Sequence, residues 1–196
     1  MPIHRGKLNA RRKRFGIVVS RFNEFITRRL LQSVLETLDQ AGVFEKQVDV
    51  VWVPGALEVP YFCRKLLRQK KYDALIALAC VLRGETYHFE CVSQEVTRGI
   101  AQAAMEGGVP IATGIITADT LEQAIDRAGL KAGNKGAQAA LVALEIADLY
   151  HQLAKGMPCG QRSKDKSNQR AETRRQKART QWEAAEAQKN RALHPL

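Results

Sequence analysis

One run of ten residues, Asp73–Leu82 (DALIALACVL), constrains the fold of this chain more than any other segment. Nearly every residue in it is apolar, and polar residues do not alternate with apolar ones. A strand with one face in water alternates, whereas a central strand of a parallel sheet is covered on both faces and stays apolar along its length. The run therefore predicts a buried strand at the centre of a parallel sheet with helices on both sides.

Shorter apolar runs and amphipathic stretches alternate along the rest of the chain. Further strands are predicted at Phe15–Ser20, Val48–Val53 and Val109–Ile116. Helices are predicted at Glu24–Ala41, Leu57–Arg68, from the loop after Arg83 to Gly107, from about Asp119 to Gly129, and at Asn134–Leu153. This alternation indicates an α/β protein, whose parallel strands are joined by right-handed helical crossovers.

Side-chain chemistry adds detail to three of these helices. Asn23 is predicted to be the N-cap of the first helix, and Asp119 with Glu122 is typical of a capping box. The buried stripe of the last helix is expected to use its large apolar residues, which are Leu141, Leu144, Ile146, Leu149 and Leu153.

Charge separates a folded part from a basic extension. The chain has 196 residues and a net charge of +11, of which residues 155–196 carry +7. Those residues hold few large apolar side chains, so they bury too little surface to offset the entropy lost on ordering. We expect one domain at 1–154 and a mobile or partly helical extension at 155–196. A second basic cluster lies at Arg11–Arg14.

Several classes of protein are disfavoured by the same composition. The four cysteines, Cys63, Cys80, Cys91 and Cys159, show no paired spacing, which predicts a reducing, cytoplasmic location without disulfides. No segment approaches the ~20 apolar residues of a membrane span, and the N-terminus lacks a secretory apolar stretch. The histidines are scattered without metal-ligand spacing, and no glycine-rich loop typical of a nucleotide-binding fold occurs.

Candidate site residues follow the predicted strands, where parallel sheets bind their ligands. Phe22, Glu58 and His88 lie in these loops, although each has an ordinary structural alternative. Phe22 would serve as a core aromatic, Glu58 as a first-turn carboxylate facing the helix dipole, and His88 as a packing residue. Arg127 and Lys135 flank a glycine-rich turn before a helix, which suits a phosphate or equally a solvated turn.

Five segments, taken together and in order, resemble the lumazine synthase family. They are SRFNEFIT (Ser20–Thr27), WVPGALEVP (Trp52–Pro60), VLRGETYHFE (Val81–Glu90), GIAQAA (Gly99–Ala104) and EQAIDRAGLKAGNKG (Glu122–Gly136). The resemblance covers about Met1–Ala154. It implies a flavodoxin-like three-layer sandwich with a four-stranded parallel sheet, and a pentamer that in many members forms a hollow icosahedral shell.

The resemblance also implies the penultimate reaction of riboflavin synthesis. In that reaction 5-amino-6-(D-ribitylamino)uracil condenses with 3,4-dihydroxy-2-butanone 4-phosphate to give 6,7-dimethyl-8-ribityllumazine, phosphate and water. The family needs no cofactor or metal, and its active site lies between adjacent subunits. By position, His88 would be the acid–base group and Phe22 would stack on the pyrimidine ring.

Further residues take their implied roles from the same resemblance. Ala56, Leu57 and Glu58 would hold the ribityl chain, while backbone groups of Cys80, Val81 and Leu82 would meet the pyrimidine edge. The phosphate would be bound by main-chain N–H groups of Glu85 and Thr86, by Arg127 of a neighbouring subunit, and by Lys135 as a further cation. Two positions depart from the family: Thr113 stands where a neighbour's Phe is common, and Cys80 where a smaller or hydroxyl residue is common.

Two other interpretations are open. A non-catalytic flavin- or lumazine-binding relative is favoured by Thr113, although His88, Arg127 and Lys135 argue against it. A nucleic-acid-binding protein is suggested by the basic extension and by Arg11–Arg14, although few aromatic residues interleave with them as stacking platforms. In an oligomer, many copies of the extension would form a cationic layer that holds polyanions or an acidic partner.

A chain that ends at Lys155 is expected to fold, assemble and turn over like the full chain, because the predicted core ends before that residue. What truncation should remove is bound polyanion, since this binding is electrostatic and weakens as salt rises. The ratio of absorbance at 260 to 280 nm, measured for both particles in low and high salt, checks this. Disrupted assembly of the truncated chain, with no nucleic acid on either form, would contradict it.

Overall fold

The structure is a computed structural model that describes residues 1–131 and 133–156, with side chains described as far as residue 154. Contacts divide the chain into two units, Met1–Gln152 and Leu153–Leu196. All that follows concerns the first unit, apart from the final turn of the last helix. The predicted basic extension, residues 155–196, lies outside the described residues except for its first two. Within the described part, no helix is both long and apolar enough to cross a membrane.

Within the described residues, four strands and five α-helices alternate, with one 3-10 turn at Glu45–Gln47. The strands are β1 (Phe15–Ser20), β2 (Val48–Val53), β3 (Ala74–Leu82) and β4 (Ile111–Ala118). The helices are α1 (Glu24–Gln40), α2 (Glu58–Leu67), α3 (His88–Gly107), α4 (Leu121–Arg127) and α5 (Lys135–Gly156). The bounds predicted for β1 and β2 are confirmed, whereas β4 lies two residues further along than predicted.

All four strands are parallel, in the order β2-β1-β3-β4. Val18 of β1 lies beside Val51 of β2 on one side and Ala77 of β3 on the other. The predicted α/β class with a four-stranded parallel sheet between helical layers is therefore confirmed. Because β1 and β3 are the two inner strands, their ends lie nearest the middle of each sheet edge.

Two apolar cores, one on each face of the sheet, explain the uninterrupted apolar run in β3. Ile76 and Leu78 face the core that contains α1, α4 and α5, whereas Leu75 and Ala77 face the core that contains α2 and α3. Every β3 residue from Ala74 to Val81 is buried. Alternate side chains of one strand enter opposite cores, so neither set of positions tolerates polarity.

The buried face of α5 is built from small residues, which corrects the predicted stripe of large ones. Its fully buried positions are Ala139, Ala140, Ala143, Leu144 and Ala147. Leu141 and Leu153 are exposed, and Ile146 and Leu149 are only partly buried. The physical reason is close helix packing: a Cβ added at Gly136 would lie 2.2 Å from the carbonyl oxygen of Leu30 in α1.

Of the two predicted helix caps, one is confirmed and one needs correction. Asn23 is the N-cap residue of α1, as predicted, although its side chain caps no N–H group of that helix. The N-cap of α4 is Thr120, whose Oγ1 accepts from the N–H of Gln123 at 3.3 Å, while the N–H of Asp119 donates to Oε1 of Gln123 at 2.9 Å. The predicted pair of Asp119 and Glu122 is one residue too early, because β4 continues to Ala118.

A buried ion pair ties the segment before β1 to α5. The ammonium of Lys13, which is 4% exposed, lies 3.0 Å from Oδ1 of Asp148 and also donates to the carbonyl oxygen of Asn9. Oδ2 of Asp148 accepts from the backbone N–H of Lys7 at 3.0 Å and from Gln152 at 2.7 Å. Burial favours a raised pKa for Asp148, but these donors outweigh it and lower the pKa to about 2.

Asp148→Ala should lower the free energy of unfolding by about 3–5 kcal/mol, because it leaves the Lys13 ammonium buried without a counter-charge. The double variant Lys13→Met/Asp148→Leu removes both charges and should lose much less. Urea unfolding at fixed protein concentration measures both.

The same pair predicts a pH dependence with a definite sign. The folded pKa of Asp148 is lowered, so its contribution should be full above about pH 4 and should disappear as pH falls towards 2. The stability difference between wild type and Asp148→Ala should shrink over that interval. A difference that is constant from pH 5 to pH 2 would show that the pair does not stabilise the fold.

Candidate active site

A cavity of about 340 Å³ lies at the carboxyl ends of β1, β2 and β3. Nine of the predicted site residues line it: Phe22, Ala56, Leu57, Glu58, Cys80, Val81, Leu82, Thr86 and His88. Sequence reasoning missed four others, which are Gly55, Gly84, Phe89 and Val92. Phe89 and Val92 lie in the first turns of α3, and an apolar residue in a helix carries no sequence signal that separates a cavity wall from ordinary packing. The cavity occupies the sheet edge at which parallel folds bind ligands.

The loop after β1 presents an aromatic ring to this cavity. Its backbone is held against the turn after β2, since the N–H of Arg21 donates to Val53 at 2.7 Å and that of Phe22 donates to Pro54 at 3.1 Å. The Phe22 side chain is nevertheless 67% exposed. A ring held at a cavity mouth with most of its surface in water is not a core residue, and it is available for stacking.

Asn23 fastens the same loop to the central strand. Its backbone adopts the left-handed conformation, with φ of 57°, which asparagine tolerates better than most residues. From there its Nδ2 donates to the carbonyl oxygen of Cys80 at 2.9 Å. The loop after β1 is therefore linked by one side chain to the end of β3, and both supply residues to the cavity wall.

The turn after β2 places a carboxylate on the opposite wall. Glu58 is the first residue of α2, and a Cβ added at Gly55 would lie 2.8 Å from its Oε2. The carboxylate thus lies close over the turn, in the space that a side chain at position 55 would enter. The structural and functional interpretations of Glu58 coincide, because a first-turn carboxylate of α2 also lines the cavity.

The floor of the cavity is apolar and comes from the end of β3. Cys80 is 1% exposed and Val81 is 8% exposed. Burial raises the pKa of the Cys80 thiol to about 11, so this thiol is neutral at physiological pH. The side chain of Cys80 is therefore a small hydrophobe here, and polar contacts in this region fall to the backbone.

The loop after β3 is shorter than predicted, since His88 is the first residue of α3 and not a loop residue. Arg83 holds this junction through three contacts. Its Nε donates to Oδ1 of Asp119 at 2.5 Å, and its guanidinium also donates to Glu90. Its Cζ lies 4.3 Å from the centroid of the Phe89 ring. Hydrogen bonds to Asp119 and then Glu90 raise the pKa of Arg83, and Arg83 lowers that of Glu90.

The first turn of α3 brings free backbone N–H donors to the cavity. The first N–H groups of any helix lack a preceding carbonyl within it, and they favour an anion. His88 and Thr86 at this junction line the cavity together with Gly84. The arrangement combines backbone donors, an imidazole, a carboxylate and an exposed ring around one apolar hollow.

Four predicted residues do not line the cavity in the described part of the chain: Glu85, Thr113, Arg127 and Lys135. Glu85 is exposed on the loop between two lining residues. Arg127 ends α4 with an exposed side chain, and Lys135 begins α5. Thr113 is exposed on the edge strand β4, opposite Ala77. Among the described residues, no cluster of His, Cys, Asp and Glu could hold a metal ion.

Comparison with known proteins gives one consistent result. The family model described as 6,7-dimethyl-8-ribityllumazine synthase matches residues 12–151. A protein of that name from Kosmotoga olearia is 48% identical over 153 residues, which are 78% of this chain and 98% of the relative. Another, from Clostridium kluyveri, is 47% identical over 153 residues, which are 78% of this chain and 99% of the relative.

Substitution of Asn23 should reveal how much its link to the central strand stabilises the fold. Asn23→Gly keeps the left-handed conformation at little steric cost and loses the hydrogen bond, so it should cost about 1 kcal/mol. Asn23→Ala loses the same bond and lacks the short polar side chain that lets asparagine tolerate this conformation, so it should cost ~1–2 kcal/mol more than Asn23→Gly. Urea unfolding curves give both values. Equal stabilities for the two variants would show that the backbone here is not constrained.

Proposed function

This chain belongs to the 6,7-dimethyl-8-ribityllumazine synthase family, and we propose that its cavity holds the two substrates of that reaction side by side. The enzyme is a transferase of riboflavin biosynthesis, which joins 5-amino-6-(D-ribitylamino)uracil to 3,4-dihydroxy-2-butanone 4-phosphate. One observation carries the assignment of the site: Phe22, Glu58 and His88 follow three different strands of the sheet and line the same cavity.

The pyrimidine is assigned to the inner part of the cavity. The exposed ring of Phe22 offers a stacking surface, and the carboxylate of Glu58 can accept hydrogen bonds from ribityl hydroxyls. Backbone groups at Cys80–Leu82 supply donors and acceptors to the pyrimidine edge. Because the floor is apolar and Cys80 is neutral, the orientation of the ring depends on these few polar contacts.

His88 is assigned to proton transfer. The diamine attacks the ketone, the carbinolamine loses water, phosphate leaves and the ring closes, and each step moves protons near neutral pH. Imidazole is the side chain suited to that range. Its position at the first residue of α3, on the cavity wall, supports this role. Holding two reactive partners together supplies much of the remaining acceleration.

The phosphate is assigned to the junction between the loop after β3 and α3, with help from a second subunit. Main-chain N–H groups of Glu85 and Thr86 would face it, and a charge-assisted contact would come from Arg127 of a neighbour, with Lys135 close by. Support comes from the single chain itself, in which Arg127 and Thr113 are exposed and do not line the cavity. A pentamer, assembled further into an icosahedral shell, would supply such a neighbour.

The cytoplasm is the proposed location. Cys63, Cys80 and Cys91 are all free thiols, as is usual for proteins of reducing compartments.

Mixed assemblies of two variants test the shared site directly. His88→Ala and Arg127→Ala should each lower the rate of lumazine formation, measured by fluorescence, with His88→Ala near the low end of the usual ~10²–10⁴-fold effect. When the two variants are co-expressed with different tags, a site shared between neighbours is intact in about one quarter of cases, because each contributing subunit is wild type at its own position half the time.

Turnover of the mixed particle should therefore reach about one quarter of wild type, well above either variant alone. A mixed particle whose turnover is only the mean of the two variants would place His88 and Arg127 in the same chain's site. Wild-type protein that binds the lumazine product but forms none would instead identify a binding relative without catalysis.

A further inference from the structure

A second hollow, of about 800 Å³, lies at the opposite edge of the sheet. One wall is residues 7–12 and Arg14, which lead into β1. The other wall comes from the segment that leads into β2, through Ala41, Gly42, Phe44, Lys46 and Gln47. The condensation cavity lies at the carboxyl ends of these strands, so the two sites share no residue. Five cationic side chains line this basic hollow: Lys7, Arg11, Arg12, Arg14 and Lys46. None of the described residues that line it is acidic.

The positive charge of these side chains is barely neutralised by nearby carboxylates. Among the described residues, no carboxylate oxygen lies within 4.0 Å of a charged nitrogen of Lys7, Arg11, Arg12 or Lys46. Arg14 approaches Asp49 only at 3.7 Å, and that carboxylate already accepts from Lys71 at 2.9 Å and from Tyr72 at 2.9 Å. The Nε of Arg14 is buried without a hydrogen-bond partner.

The two walls are built into a fixed arrangement. The side chain of Gln47 spans them, with Nε2 donating to the carbonyl oxygen of Lys13 at 2.6 Å and Oε1 accepting from the N–H of Phe44 at 3.0 Å. The side chain of Lys13 points inward to Asp148, whereas Arg11 and Arg12, which precede it, are exposed on the surface. Arg12 holds a left-handed backbone, with φ of 61°, a strained state that clusters at functional sites.

One exposed aromatic ring completes the hollow. Phe44 is 67% exposed, and the ammonium of Lys46 lies 5.7 Å from its ring centroid. An exposed ring beside several cations matches a ligand that has both a flat aromatic base and phosphates. The volume lies within the usual range of small-molecule sites, which favours a single nucleotide over a strand of nucleic acid.

We propose that the basic hollow binds a nucleotide with a chain of phosphates, such as a nucleoside triphosphate. The phosphates contact Arg11, Arg12, Arg14 and Lys46, and the base lies against Phe44. The donors suit this chemistry, because guanidinium groups bind phosphate oxygens through paired, charge-assisted hydrogen bonds. Binding here is separate from the condensation reaction, whose residues lie at the other edge of the sheet.

Isothermal titration of the full-length chain with ATP, and separately with inorganic tripolyphosphate, tests the site at ~0.1 M salt. The variant Arg11→Gln/Arg12→Gln/Lys46→Gln should bind ATP at least about tenfold more weakly than wild type. A matched control, Arg174→Gln/Arg175→Gln/Lys177→Gln, removes the same three charges from the basic extension and should leave ATP affinity unchanged. Equal losses in the two triple variants would overturn the proposal, since they would show binding by net charge alone.

Phe44→Ala separates a nucleotide site from a simple phosphate site. It should weaken ATP binding several-fold and leave tripolyphosphate binding unchanged, because only ATP carries a base to stack. A Phe44→Ala variant that binds ATP as tightly as wild type overturns the assignment of the base. All these variants should keep the wild-type rate of lumazine formation. An unchanged rate also shows that the variants are folded. Because nucleotide binding and lumazine formation are measured separately, a failure of one proposal can be told from a failure of the other.

Discussion

Burial of the central strand on both faces is the constraint on which the rest of the structure depends. Each residue of β3 from Ala74 to Val81 enters one of two helical cores, so no polar chemistry fits along the strand. Polar and charged side chains are consequently displaced to the two edges where the strands begin and end. The carboxyl edge has an apolar floor with few polar groups, whereas the amino edge collects cations.

How far the sequence determines this arrangement differs from one element to the next. The bounds predicted for β1 and β2 match the observed ones, because short β-branched runs have no competing helical periodicity. The stripe predicted for α5 is right at Leu144, which is fully buried, and wrong at Leu141 and Leu153, which are exposed. Periodicity marks large residues and takes no account of how close the backbones come. At Gly136 the carbonyl of Leu30 leaves no space for a Cβ, and alanines face the sheet beyond it.

The candidate site shows the same division. Positions just after parallel strands are enough to predict that Phe22, Glu58 and His88 line one cavity, since the topology brings the carboxyl ends of those strands to the same edge. The second role of Asn23 could not be predicted, because its contact with the carbonyl of Cys80 joins residues 57 positions apart. Thr113 and Arg127 are exposed in the single chain, which does not show what they contact in an assembly, so their roles stay predictions.

The buried pair of Lys13 and Asp148 sets an order of events during synthesis. The two residues are 135 positions apart, so the ammonium that precedes the first strand has no counter-charge until the last helix has been made. At ~5–20 residues per second, that interval is roughly 7–27 seconds on the ribosome. During it the first strand stays incompletely packed, which gives chaperones access to apolar residues that the finished domain buries.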